Sequence, residues 1–161
     1  MRWQQILLPA RPGEVLEIDE LVVRCSRKRR YRYLWIAVSR LTRQVLGFCL
    51  GNRSQKSLGR LWFSLASDYR RKLVYTDCYE AYAAFFRPWQ HRPCDKGSGQ
   101  TSIVEGLNNK WRSRVSGLVR KTVCVQHEAD LERRLLLVMG QHNQQCRQRI
   151  ENLGSPPSST L

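Results

Sequence analysis

Asp19, Asp77 and Glu105 are acids in three different kinds of local structure. Asp19 lies in the run EVLEIDELVV, Asp77 closes the apolar run LVYT, and Glu105 begins a segment that continues into Asn108 and Arg112. Asp is disfavoured in strands, and an unpaired buried carboxylate is costly. Acids kept in such places therefore point to a use, and the use that suits hard oxygen donors is holding divalent cations. Phosphoryl transfer on nucleic acid commonly employs two such ions roughly 3.5–4 Å apart, one serving the attacking oxygen and one the leaving oxygen.

Each acid also has an ordinary explanation. Alternation puts Val15, Glu17, Asp19 and Leu21 on one face of a strand and Leu16, Ile18, Glu20 and Val22 on the other. An edge or solvent-facing position would accommodate Asp19, and Glu17 and Glu20 compete with it for any role in chemistry. Asp77 could cap a helix over the Ala81 segment. Ser102-Ile103-Val104-Glu105 fits a capping box, in which Glu returns to the cap's backbone N–H. Against that stands the helical face: Glu105, Asn108 and Arg112 recur at i, i+3 and i+7, while Val104, Leu107, Trp111 and Val115 take the other side. An acid, an amide and a guanidinium in a row suit metal, water and phosphate.

The charge balance names the partner. Among 161 residues, 28 Lys and Arg stand against 13 acids, a net charge of +15. Such a chain seeks a polyanion, nucleic acid before an anionic membrane surface. No apolar run reaches the length of a membrane span, and the N-terminal patch is too short for a secretory signal; a cytoplasmic, nucleoid-associated location is expected. Arg24, Arg27, Lys28, Arg29, Arg30 and Arg32 crowd one turn. They form either a solvated turn or a phosphate clamp giving sequence-blind, salt-dependent affinity. Arg112, Arg114, Arg120 and Lys121 extend the positive field beyond Glu105. Six cysteines include no Cys-x-x-Cys pair, so a disulfide framework is not expected. The His91/Cys94 spacing lacks the second pair a structural zinc site needs, and DKGSGQ is not a nucleotide cradle.

The elements that must position these residues follow from period. Residues 14–23, 31–39 and 45–50 read as strands joined by short turns, hence consecutive antiparallel hairpins. Leu58, Leu61, Trp62, Leu65 and Ala66 mark a helix, capped by Ser54 or Ser57. Residues 72–77 read as a short buried strand reached by a crossover, so it should run parallel to the first. Residues 81–86 read as a short helix and 89–94 as a weak fifth strand. One helix should begin near Thr101 and end at Gly117. Another should span about 126–149, with Leu131, Leu135, Val138 and Met139 inward. Trp35, Trp62 and Trp111 read as core anchors. The order predicts residues 1–13 as an irregular lead-in, one α/β domain over 14–150 with a mixed five-stranded sheet flanked by helices, and a disordered tail over 151–161.

IDEL (Ile18–Leu21), YTDCYEAY (Tyr75–Tyr82) and IVEGLNNKWRSRVSGLVRKT (Ile103–Thr122) resemble the segments around the three acids of insertion sequence 1 family transposases, over roughly residues 14–145. The resemblance implies a DDE-type enzyme with a ribonuclease-H-like fold. It implies Asp19, Asp77 and Glu105 as catalytic and metal-binding acids for two Mg²⁺ or Mn²⁺ ions. It implies DNA cleavage and strand transfer, with transposon ends and target as partners and self-association of the chain. DNA contacts are expected from Arg27, Lys28, Arg29, Arg30, Asn108, Arg112, Arg120 and Lys121. Family members are commonly completed by an upstream frame carrying zinc-finger and helix-turn-helix parts. Neither is visible here, so the chain reads as the catalytic half. The alternatives are a structure-selective nuclease of the same fold and a non-catalytic basic nucleic-acid-binding protein.

Overall fold

Three strands rich in aliphatic residues, joined by turns too short for a crossover, fold back on one another. In the computed structural model, which describes residues 3–25, 30–95, 97–115 and 127–154, β1 (Val15–Cys25), β2 (Arg30–Ser39) and β3 (Val45–Gly51) form an antiparallel meander. The chain then crosses through α1 (Gln55–Ser64) and returns as β4 (Leu73–Thr76), parallel to β1 with Leu16 opposite Val74. After α2 (Glu80–Phe85), β5 (His91–Pro93) adds parallel to β4. The sheet order is β3-β2-β1-β4-β5. With α3 (Ser102–Arg114) and α4 (Glu128–Gly154), this is the expected α/β architecture, a mixed five-stranded sheet flanked by helices and consistent with a ribonuclease-H-like fold. No helix among the described residues is long and apolar enough to cross a membrane.

Alternation along the strands gives the sheet two apolar faces. Leu21, Leu34, Ile36 and Val38 pack against Val104, Leu107 and Trp111 of α3 and Leu131, Leu135 and Met139 of α4. On the opposite face Leu16, Ile18, Trp35 and Ala37 pack against Leu58, Leu61 and Trp62 of α1 and Tyr82 of α2. The three tryptophans expected as anchors are buried. β3 is an edge strand, and α4 covers part of that edge through fully buried Asn143. Its Oδ1 accepts the Val45 N–H at 2.8 Å and its amide donates to the Val45 carbonyl at 2.8 Å.

Element ends differ from the sequence reading. Helix α1 stops at Ser64, because Leu65 turns extended to reach the core. Helix α3 stops at Arg114, before Gly117, where Val115 leaves the helical region and is buried. Helix α4 runs to Gly154, into the stretch read as tail; Glu151, Asn152 and Leu153 carry no breaker. The fifth strand keeps only three residues, and Trp89 is exposed. The lead-in contains a 3-10 turn (Trp3–Ile6) and is fastened to the domain. Gln44 Oε1 accepts the Leu8 N–H, Asp68 accepts the Ala10 N–H, and the Tyr69 hydroxyl donates to the Leu8 carbonyl.

Candidate active site

The parallel pairing of β1 with β4 decides where the first two acids meet. Glu17 lies opposite Tyr75 in the ladder, so Asp19, two residues further along β1, and Asp77, just past the end of β4, come near one another, and the Asp77 charge acts on Asp19. Asp77 follows the last residue of β4, where the chain leaves the sheet, and its Oδ1 accepts the Tyr79 N–H at 3.0 Å. That bond is an Asx-type turn, whereas the N-cap position of α2 is Tyr79, with no side-chain cap. Asp77 therefore shapes the approach to α2 without capping it.

Helix α3 delivers the third acid. Asp19, Glu20, Arg53, Asp77, Gly97, Thr101 and Glu105 line one cleft of about 340 Å³. The acids expected to act together thus face a common space, although no three His, Cys, Asp or Glu side chains among the described residues are arranged around a single point that could hold an ion. The capping box does not form. Thr101 occupies the N-cap position, and its hydroxyl donates to Glu105 Oε1 at 2.7 Å.

The cap of α3 comes instead from β1. Glu17 is 1% exposed, and its Oε2 accepts the N–H groups of Ile103 and Val104, each at 3.0 Å. A carboxylate at a helix N-terminus satisfies orphan donors and meets the positive end of the dipole. The other oxygen accepts from Arg40 Nε at 2.8 Å. Arg40 also donates to the Gln100 carbonyl and lies over the Tyr75 ring, 4.2 Å from its centroid. Glu17 and Arg40 thereby bind together β1, β4 and the start of α3, the three segments that carry the acids. This role was not legible beforehand; the one signal was that Glu17 shares a face with Asp19.

Glu20 faces the other side of the sheet. It pairs with Arg53 at 2.7 Å and accepts from the Tyr82 hydroxyl at 2.6 Å. Of the three acids in β1, Glu17 and Glu20 are paired with arginines, and Asp19 is held by amide groups: Asn108 Nδ2 donates to its Oδ2 at 2.7 Å, and the Glu20 backbone also bonds its carboxylate. Burial, then the negative charges of Glu20 and Asp77, push the Asp19 carboxyl up from 3.8 to about 6.

Asn108, expected to meet DNA, is buried and turned towards Asp19, and its own Oδ1 has no protein partner. Arg112 is half-buried one turn further on. Arg30 belongs to β2. Arg27, Lys28, Arg29, Arg120 and Lys121 lie outside the described residues. His91 is buried, with Nε2 2.7 Å from the Thr76 hydroxyl, so it is engaged inside the fold.

A mixed five-stranded sheet flanked by helices, with three acids lining one cleft, is consistent with a ribonuclease-H-like protein, and comparison with known proteins gives the family. The family profile described as IS1 transposase matches residues 14–145, and the chain belongs to that family. It is similar to the insertion element iso-IS1n protein InsB of Shigella dysenteriae, 25% identical over 125 residues that cover 76% of this chain and 90% of that relative.

Proposed function

We propose that the protein cleaves DNA strands and joins them to new sites in a divalent-metal-dependent reaction, as the catalytic part of a transposase. The observation that carries this reading is the shared cleft: Asp19, Asp77 and Glu105, distant in sequence, line one opening at the carboxyl end of β4. Crevices at strand carboxyl ends are where open α/β sheets place ligands.

The donor set fits Mg²⁺ or Mn²⁺. It consists of oxygens alone, and the Asp19 carboxyl is raised first by burial and then by the charges of Glu20 and Asp77, which a cation would offset. Asp19, Asp77 and Glu105 would hold the ions, and two bound ions would supply Lewis acidity at the phosphodiester and its nucleophile. The rest is the work of this chain. Asn108 fixes the rotamer of Asp19. Glu17 and Arg40 fix the start of α3 against β1, and Glu105 of that helix lines the same cleft as the strand acids. Cleavage by water leaves a 3′-hydroxyl, and that hydroxyl attacks target DNA with no covalent protein intermediate. Self-association and an upstream-frame DNA-binding part belong to the same reading.

Two assays test it. In Mg²⁺, the protein should nick duplex DNA and join a pre-cut 3′ end to a target plasmid. Asp77→Asn should lose both reactions while remaining folded. Retention of Mg²⁺-dependent cleavage by Asp77→Asn would remove that acid from the mechanism. Cleavage without joining would identify a nuclease.

A further inference from the structure

Four carboxylates line the cleft, and the cation lining it among the described residues is Arg53. Arg53 follows β3 in the turn leading to α1. Its guanidinium is pinned on two sides. Nε and one terminal nitrogen meet Glu20 Oε1 at 2.8 and 2.7 Å, and the plane lies over the Tyr79 ring at 3.9 Å. The Tyr79 hydroxyl in turn donates to the Arg53 carbonyl, and buried Glu20 is held from behind by Tyr82. Yet the Arg53 side chain is 41% exposed. A guanidinium carries five N–H donors, and the Glu20 contact uses one edge of the fork. Arg53 also lines a second opening, of about 340 Å³, with Asp77, Cys78, Tyr79 and Asp95. It therefore stands where the two openings share a wall, beside Asp77.

We propose that Arg53 is the residue that grips the backbone phosphate of the DNA strand at the cleft, presenting its outward N–H donors to the phosphodiester. This rests on the reading of the cleft as a DNA-cleaving site. An unpaired cation among these acids would compete with divalent ions for them. Pairing with Glu20 cancels that charge toward the metal-holding acids while leaving directional donors in place. The planar fork suits phosphate geometry, and stacking on Tyr79 fixes its plane without consuming a donor. Glu20 and Tyr79 are positioning residues for it.

Binding of a labelled duplex oligonucleotide in EDTA, titrated with salt, tests the assignment separately from catalysis. Wild type, Arg53→Gln, the charge-balanced double variant Glu20→Gln/Arg53→Gln, and Arg71→Gln are compared, the last being an exposed arginine before β4, at the opposite end of that strand from Asp77. One lost phosphate contact lowers the slope of log affinity against log salt by about 0.9. That drop is expected in both Arg53 variants and not in Arg71→Gln, with unfolding curves confirming that the double variant folds. An unchanged slope in the double variant overturns the proposal and leaves Arg53 as the partner of Glu20. An equal drop in Arg71→Gln also overturns it, since the effect would then come from the general field. If the slope falls as expected but wild type shows no Mg²⁺-dependent cleavage, the phosphate contact stands and the catalytic reading fails.

Discussion

Replacing Asp19 by Asn should stabilise the metal-free protein at neutral pH, against the usual direction for a buried, hydrogen-bonded residue. The carboxyl titrates near 6 in the fold instead of 3.8, chiefly because burial disfavours its charged form. A folded pKa above the unfolded one means that the native state binds the extra proton between those values, so stability falls as pH rises from about 4 to about 6. The difference of about two units, at 1.36 kcal/mol each, sets the cost of the ionised group at about 3 kcal/mol above pH 6. Asn is isosteric and neutral, and its carbonyl can still accept the Asn108 amide. Urea unfolding in EDTA at about pH 7.5 should show Asp19→Asn more stable than wild type by about 1–3 kcal/mol, with the gap closing at about pH 4. The difference isolates Asp19, because His91 and His142, whose pKa values burial lowers, titrate alike in both proteins. Added Mg²⁺ should stabilise wild type by mass action and narrow the gap. A variant no more stable than wild type at neutral pH, or a gap independent of pH, would refute the claim that the fold keeps this acid at a cost. A gap that Mg²⁺ does not narrow would refute its role as a cation ligand.

Other perturbations follow from the same contacts. Glu17→Ala removes the acceptor for two helix N–H groups and leaves Arg40 without its carboxylate, and should cost about 3–5 kcal/mol in urea unfolding; a loss under about 1 kcal/mol would show that α3 is anchored elsewhere. Asn143→Ala frees both the N–H and the carbonyl of Val45 and should cost about 2–4 kcal/mol, with faster amide exchange at Val45 as its local sign. Gly47→Val should destabilise by about 1–3 kcal/mol, since a Cβ there would lie 2.7 Å from Leu65 Cδ2 and press β3 away from the end of α1; unchanged unfolding would mean that Leu65 swings aside freely.

The periodic signals carried most of the fold. Strands β1 to β3, the helical faces of α1, α3 and α4, and the parallel return of β4 all follow from patterns that one burial direction imposes. The ends of elements did not, because tertiary competition sets them. Leu65 and Val115 leave their helices to bury their side chains, and Glu151 to Leu153 stay helical because composition alone does not break a helix. The same division runs through the site. The positions of Asp19, Asp77 and Glu105 were readable as acids out of place, and Trp111 and Leu107 as the inward side of α3.

What resisted reading was which partner each acid takes. Three carboxylates sit within four residues of β1, and sequence treats them as near equals. Pleating separates Glu20 from the other two, after which only contacts distant in the chain distinguish Glu17 from Asp19. Glu17 meets N–H donors some 86 residues away and Arg40 from beyond the end of β2, and both of its oxygens are hydrogen-bonded. Asp19, two residues on, is hydrogen-bonded by the Asn108 amide and the Glu20 backbone and lies near two other acids, with no ion pair to a cation among the described residues. One strand thus pairs one carboxylate fully and leaves its neighbour buried beside like charges, which sets a fastening role and the proposed catalytic one two residues apart. Glu17 spends its charge fastening α3 to the sheet, and the charge of Asp19 is left facing a cleft where a cation would relieve it.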